Sequence, residues 1–350
     1  MILSSLKLEN FRNYNDFFFE FAPITVFIGP NGIGKTNIIE AVYFLSVGKS
    51  FRTRKDNEVV KWGKDFLRIN GKINNDNYEI FVSQAPEQTK NFKINSIQKK
   101  PIEFLGNLKI ILFSPESMEI ITGSPKNRRK FLDLILMQVD KTYLRNLIEL
   151  QKILKNRNSI LFGIKIGKNK ANELLFWNNK LIELSIYIIN KRKEFINLIN
   201  KNISRVYSII SREDNNLSLK YISTIEDLEY FPDILYQNQE REISESSTIY
   251  GPHRDDIKFI LDGKEISSFA SRGEIRSVIF ALKMTELEYL RSLGSVPLIL
   301  LDDIFSELDE ERREKLTEII KNEQVIITST DKDLINFKNY KPKIVELKNV

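Results

Sequence analysis

Cysteine is absent from the 350 residues, which excludes disulfides and thiolate metal centres. The single histidine, His253, excludes histidine clusters as well. No apolar run approaches the length needed to cross a bilayer, about 18 residues or more. The opening Met1-Ile2-Leu3-Ser4-Ser5-Leu6-Lys7 lacks a charged region followed by an apolar one, so it does not read as a secretory signal. Glycine is scarce between about residues 117 and 245, and sustained heptads are missing there, so a long coiled coil is excluded. What remains has the composition of a globular protein, 42% hydrophobic and 29% charged, in a chain long enough for two structural units. These absences lead us to expect a cytoplasmic protein with no membrane contact, whose metal, if any, is Mg²⁺.

The net charge of +6 is weak evidence for a polyanionic partner, but its distribution says more. Lys126 to Arg205 carries 18 Lys/Arg against 6 Asp/Glu, a net of +12, so the rest of the chain is net acidic.

The strongest local signal is Gly29-Pro30-Asn31-Gly32-Ile33-Gly34-Lys35-Thr36, which fits the nucleotide-phosphate loop pattern Gly-x-x-x-x-Gly-Lys-[Ser/Thr]. Its context is right. Ile24 to Ile28 reads as a buried strand, and Ile38, Ile39, Val42 and Leu45 recur at helical spacing up to a stop at Gly48. Backbone N–H groups and the helix N-terminus then face an anion. Lys35 neutralises β/γ-phosphates and the Thr36 hydroxyl serves Mg²⁺.

Before this loop, residues 2–21 read as two strands around a loop at Asn10 to Asp16, which holds Arg12 and Asn13. After it come a basic turn, Gly48 to Arg54, and short alternating runs from about Phe66 to Ile97, an antiparallel meander. Arg52 in that turn either reaches phosphates or is simply solvated. Leu108 to Phe113 returns to a buried strand. Between Ser117 and Glu245 apolar spacing is helical, with Lys and Arg interspersed. Strand-and-turn character resumes at Ile249, including an Asp262-Gly263 hairpin turn. A helix from about Ile275 and buried strands at Val296 to Leu301 and Val325 to Thr328 follow. Alternation of strands and helices means an α/β sheet. The expected organisation is a head built from 1–116 and 246–350, a mixed sheet plus the meander, with a helical arm, 117–245, inserted.

Four apolar residues running into Asp302-Asp303 place carboxylates at a strand end beside the phosphate loop. Asp302 is expected to hold Mg²⁺, and Asp303 to orient or deprotonate an attacking water. The ABC-type ATPases have a Ser-x-Gly-[Gln/Glu] signature about thirty residues before this acid. Ser271-Arg272-Gly273-Glu274 is similar, with Ser271 31 positions before Asp302. Ser306-Glu307-Leu308-Asp309 resembles the D-loop of the same enzymes.

Over essentially its full length the chain resembles the RecF family of ABC-type heads. The resemblance is carried by Asn10 to Tyr14, by Gly29 to Thr36 continuing into Asn37 and Glu40-Ala41, and by Gly48 to Arg52. It extends to Phe113 to Glu116, Arg128 to Asp133, Gly251-Pro252-His253-Arg254-Asp255-Asp256 and Leu301 to Asp309. It implies an ABC-type P-loop ATPase head with a short helical arm, an ATP-dependent homodimer, DNA binding and slow, DNA-dependent ATP hydrolysis. It further implies action with RecR and RecO in directing RecA onto gapped DNA, and roles in replication restart and the SOS response. In related heads, residues matching Arg12 and Asn13 touch the nucleotide, and Ser271 and Gly273 meet the γ-phosphate of the partner's ATP. His253, in the shared block, is expected near that interface. One departure is Glu274, where the family usually has Gln; an acid there weakens closure unless it points away. Another is Thr330-Asp331, where transporter ATPases place a histidine. The charge map makes Arg128, Arg129 and Lys130 candidates for DNA phosphates. Rival readings are a transporter ATPase subunit, a structural-maintenance or break-repair head, and a non-hydrolysing DNA-binding scaffold. The missing switch histidine argues against the first, the short insertion against the second, and the intact Lys35, Thr36, Asp302 and Asp303 against the third.

Overall fold

Strands whose every residue is buried can only lie in the middle of a sheet covered on both faces. Ile24–Ile28, Leu298–Asp302 and Gln324–Ser329 are of this kind. In the computed structural model, which describes residues 2–53, 55–331 and 341–348, they are the central strands of a five-stranded parallel sheet. From edge to edge the order is Lys343–Glu346, Ile24–Ile28, Gln324–Ser329, Leu298–Asp302 and Ile110–Phe113. Because the strands are parallel, the phosphate-loop strand and the strand carrying Asp302 end on the same edge.

By internal contacts the chain forms two units, one of residues 1–117 with 286–350 and one of residues 118–285. The first holds the parallel sheet and a six-stranded antiparallel sheet. That second sheet is the expected meander, Phe66–Ile73 through Ile97–Lys99, extended by the first hairpin, Leu3–Phe11 and Tyr14–Glu20. The loop expected at Asn10 to Asp16 is a tight turn at Arg12-Asn13, because Asn10 and Arg12 both take positive φ and let the strands pair through Phe11 and Tyr14. The helix Lys35–Val47 packs against both sheets, which is why almost all of its residues are buried rather than one stripe of them. It ends, as expected, at Gly48 in the left-handed conformation. Gln324 ties the sheets together: its Oε1 accepts from the backbone N–H of Ile2 and Leu3 at 2.8 Å each, and its Nε2 donates to the Leu3 carbonyl.

The second unit contains the long helices Pro125–Val139, Lys141–Lys165 and Leu174–Asn200. It is not purely helical. Leu217–Ile222, inside the stretch expected to be helical, is a strand paired antiparallel with Asp256–Leu261, and Lys264–Glu265 adds a third. The pairing explains why residues 246–285, expected with the head, group by contact with the insertion. The expected Asp262-Gly263 turn is present, with positive φ at both residues.

Two fully buried arginines organise this unit. Arg157 pairs with Glu242 and donates to Asn178 Oδ1 at 2.9 Å and Thr248 Oγ1 at 2.8 Å. Arg192 pairs with Asp133 at 2.7 Å and donates to the Pro252 carbonyl at 2.7 Å and Tyr143 Oη at 3.0 Å. With each guanidinium nitrogen donating to an acceptor, the charges are tolerated away from water. Arg192 reaches the Gly251 to Asp256 block at Pro252, and Arg157 is linked to it through Thr248. His253 belongs to these networks, its Nε2 donating to the Thr248 carbonyl at 3.0 Å. Burial, with Arg254, Arg129 and Arg157 nearby, pushes it down to about 4, so it is neutral at physiological pH.

Candidate functional site

The phosphate loop is shaped by residues that flank it. Gly34 has φ +111°, and a Cβ there would sit 2.6 Å from Asn13 Nδ2 and 2.9 Å from Tyr14 Oη, so both backbone and space demand glycine. Asn13 Nδ2 donates to the Ile33 carbonyl at 3.0 Å, and Tyr14 Oη to the Gly34 carbonyl at 3.2 Å. The helix that follows has no side-chain cap and no acid in its first turn. Its first N–H groups are therefore left for an anion. Lys35 is buried, its ammonium held over the loop by the carbonyls of Gly29 at 2.8 Å and Pro30 at 3.1 Å.

Thr36 and Asp302 meet. Thr36 Oγ1 donates to Asp302 Oδ1 at 2.9 Å, and Thr328 Oγ1 donates to the same oxygen at 2.7 Å. Thr328 is in place because the parallel register pairs it with Asp302. Burial, the neighbouring Asp303 and Glu116 push the Asp302 carboxyl up to about 6, against the lowering effect of the two hydroxyls. Asp303 is left-handed, with φ +51°, and its N–H donates to the Thr328 side chain at 3.0 Å. Its Oδ1 is buried without a hydrogen-bond partner. A strained backbone holding an unsatisfied carboxylate oxygen is a feature of functional positions. Hydroxyl, buried acid, unsatisfied acid and uncapped helix end together suit a nucleotide triphosphate with Mg²⁺, so the residues fit both.

Sequence reasoning quoted Glu40 without giving it a role. It is fully buried in the helix after the loop and forms a two-point pair with Arg12, Nε–Oε2 at 2.8 Å and Nη2–Oε1 at 2.5 Å. Ser50 donates to it, and Arg52 approaches it at 3.5 Å. Arg12 Nη1 also donates to the Glu58 carbonyl at 2.8 Å. Asn37 links the groups, donating to Asn13 Oδ1 at 2.8 Å and accepting from Arg52 at 3.0 Å. Glu40 thus positions the side chains at the edge of the loop. Arg52 is not simply solvated, since it is tied to Asn37 and Glu40. Arg54 of the basic turn lies outside the described residues.

The structure brings together Arg12, Asn13, Gly29 to Asn37, Asp302 and Asp303 in the first unit. Ser271, Gly273 and Arg128 to Lys130 belong to the second. There Ser271 and Glu274 form a reciprocal cap: Glu274 N–H donates to Ser271 Oγ at 3.2 Å, and Ser271 N–H to Glu274 Oε2 at 2.7 Å. The acid thus folds back on its own helix end, and the Ser271 hydroxyl and then its backbone N–H hold the carboxyl below the usual range. Arg128 makes a two-point pair with Asp256 at 2.6 and 3.0 Å, and Arg129 donates to the Asp255 carbonyl at 2.5 Å. Both arginines thus spend donors on acceptors within the unit. Lys130 is exposed.

Two predictions follow from these contacts. Glu40→Ala leaves Arg12 largely buried without its carboxylate, at a loss of about 3 kcal/mol in stability. Arg52→Ala, which removes a longer, more exposed contact, loses under about 1 kcal/mol. Equal shifts in urea midpoint for the two variants would refute this ranking. For Asp302, the raised carboxyl favours the fold below about pH 4, and that contribution is lost as pH rises to about 6 and above. Asp302→Asn in metal-free buffer is therefore expected to gain stability at pH 8, up to about 3 kcal/mol, with no gain left below about pH 4. Melting curves with no gain at pH 8 would contradict the assignment.

Comparison with known proteins agrees with this geometry. The model of the RecF/RecN/SMC N-terminal domain matches residues 2–349. The chain is 38% identical to the DNA replication and repair protein RecF of Agathobacter rectalis, covering 95% of this chain and 93% of that one. It is 36% identical to RecF of Oenococcus oeni, covering 99% and 98%. Among solved structures, it is similar to the recombination mediator protein RecF with ATP in the RecFOR pathway, with TM-score 0.88, 30% identity and coverage of 96% and 93%. An Smc head bound to the C-terminal winged helix of ScpA shares the fold at TM-score 0.55 and 17% identity, covering 95% and 91%.

Proposed function

The chain belongs to the RecF family, and from that premise we propose that it is an ATP-dependent DNA-binding switch of recombinational repair. In this reading it closes into a homodimer on ATP, hydrolyses ATP slowly in a DNA-dependent way, and works with RecR and RecO at DNA gaps. The relatives support this, being replication and repair RecF proteins, one with ATP in the RecFOR pathway. The observation that carries it is the contact of Thr36 with Asp302 at 2.9 Å beside an uncapped helix end. A hydroxyl and a carboxylate converge there at the edge of a glycine cradle, as phosphoryl transfer requires.

In the proposed reaction Lys35 supplies the charge partner for β/γ-phosphates, and the helix N–H groups hold the anion. Thr36 and Asp302 hold Mg²⁺, which when bound neutralises charge on the phosphates. Asp303, with its unsatisfied oxygen, orients the attacking water. Ser271 and Gly273 meet the partner's nucleotide, and Arg12, Asn13 and Asn37 border the nucleotide of their own subunit. DNA phosphates are met in the second unit by exposed lysines such as Lys130, Lys152, Lys155 and Lys168, in a salt-dependent and sequence-independent way.

Calorimetry and sedimentation test the scheme together. Lys35→Ala should lose tight ATP binding. Asp303→Asn should keep binding, slow hydrolysis about tenfold or more and accumulate an ATP-bound dimer. Asp302→Asn should instead weaken the dependence on Mg²⁺. Retained affinity in Lys35→Ala, or one shared phenotype for both Asp variants, would overturn the assignment. Ser271→Arg should block ATP-driven dimerisation while leaving ATP binding intact. Glu274→Gln, which removes a negative charge from the helix end, should strengthen dimerisation. A Ser271→Arg protein that dimerises normally would refute action in trans.

A further inference from the structure

Trp62 is 98% exposed, more than any other large apolar side chain among the described residues. A whole indole in water is unusual, since aromatic side chains bury about 150–250 Å² when they find a partner. Nor is Trp62 on a loose loop. It sits in a turn where Lys64 N–H donates to the Lys61 carbonyl at 3.0 Å and Gly63 takes φ +78°. That turn is fixed to the first hairpin of the unit. Lys61 N–H donates to the Asn10 carbonyl at 2.8 Å, Lys61 Nζ to the Asn13 carbonyl at 2.8 Å, and Arg12 N–H to the Val59 carbonyl at 2.9 Å. The backbone therefore fixes the point from which the ring projects.

The sign of the charge near it in sequence favours one kind of partner. Residues 48–65 contain six Lys/Arg and three acids, a net of +3. The same segment of a second copy would be repelled, whereas a polyanion would be attracted. Lys64, beside the indole, is exposed and has no ion-pair partner among the described residues. An exposed ring interleaved with cations suits a nucleic-acid strand whose bases are unstacked, because a duplex hides the faces of its bases.

We propose that Trp62 is a stacking platform for an unpaired base, a nucleic-acid contact in the first unit that works by stacking rather than by the charge of the second unit's lysines. It rests on the DNA-binding reading above. The chain has two tryptophans, so Trp177→Phe leaves Trp62 as the only indole. In that protein, emission should be quenched by oligo(dT) and by a gapped duplex, but not by a blunt duplex of equal length. Trp62→Ala should weaken oligo(dT) binding about 5- to 100-fold. Duplex affinity and the slope of binding against salt should be unchanged, since no charge is lost. Trp62→Phe should retain most of the affinity. An exposed position makes misfolding of these variants a small concern, and unchanged melting temperatures check it. Wild-type binding to oligo(dT) matched by Trp62→Ala overturns the stacking role alone. Loss of ATP-driven dimerisation in Trp62→Ala with DNA affinity intact makes the indole a contact between copies and also overturns it. Failure of the unmodified protein to bind any DNA overturns the DNA reading and this proposal with it.

Discussion

The first unit depends on placing one carboxylate where water is scarce. Asp302 is buried at the end of a strand whose residues are all buried, and it is held by hydroxyls from Thr36 and Thr328. Burial pushes its carboxyl up to about 6, more than the two hydroxyls offset. Glu40 is the opposite case. It is equally buried, yet Arg12 and Arg52 neutralise it and Ser50 donates to it, so it belongs to the scaffold. Two buried acids on the same unit thus have different reasons to exist. One is compensated within the chain. The other is left short of positive charge, which suits a site for a cation.

What could be read from the sequence was what is local. The phosphate loop is a contiguous pattern between a strand and a helix, and Asp302 ends an apolar run, so both were legible. Thr328 was not, since its role comes from register with a strand 26 residues earlier. The left-handed backbone of Asp303 leaves no trace in residue type either. Glu40 was visible as a letter, but its pair with Arg12 spans 28 residues. Leu217–Ile222 alternates as a strand should, yet it follows long helices and pairs with a strand far along the chain. Lys343–Glu346 is mostly exposed, so no apolar run announced it as the sheet's edge.

Charge counting failed in a different way. Of the six arginines in the basic segment, Arg128, Arg129, Arg157 and Arg192 turn inward, while Arg145 and Arg205 are exposed. The lysines at 126, 130, 141, 152, 155, 165, 168 and 170 stay exposed. Guanidinium groups can satisfy five donors in a fixed fork, so they survive burial in hydrogen-bonded networks. Ammonium groups are strongly hydrated and remain in water. The sequence total therefore overstates the charge available to a polyanion, and what remains is carried mostly by lysines, flexible point charges, together with Arg145 and Arg205. Such contacts attract without reading sequence.

Glu274 shows how one departure changes the expected energetics without removing the parts. In the proposed dimer, an anion approaching Ser271 meets a hydroxyl that already accepts from the Glu274 N–H and is hydrogen-bonded to the Glu274 carboxylate, so it must exchange partners to donate. Gly273 adds no side chain in the way. The acid, however, already occupies the Ser271 N–H and sets a negative charge against the positive end of the helix. A γ-phosphate arriving there gains less from the helix end than it would beside glutamine. Closure then leans more on other contacts across the interface, and the closed state is easier to leave. That is the balance expected of a switch that reports nucleotide state rather than a motor that extracts work from each turnover.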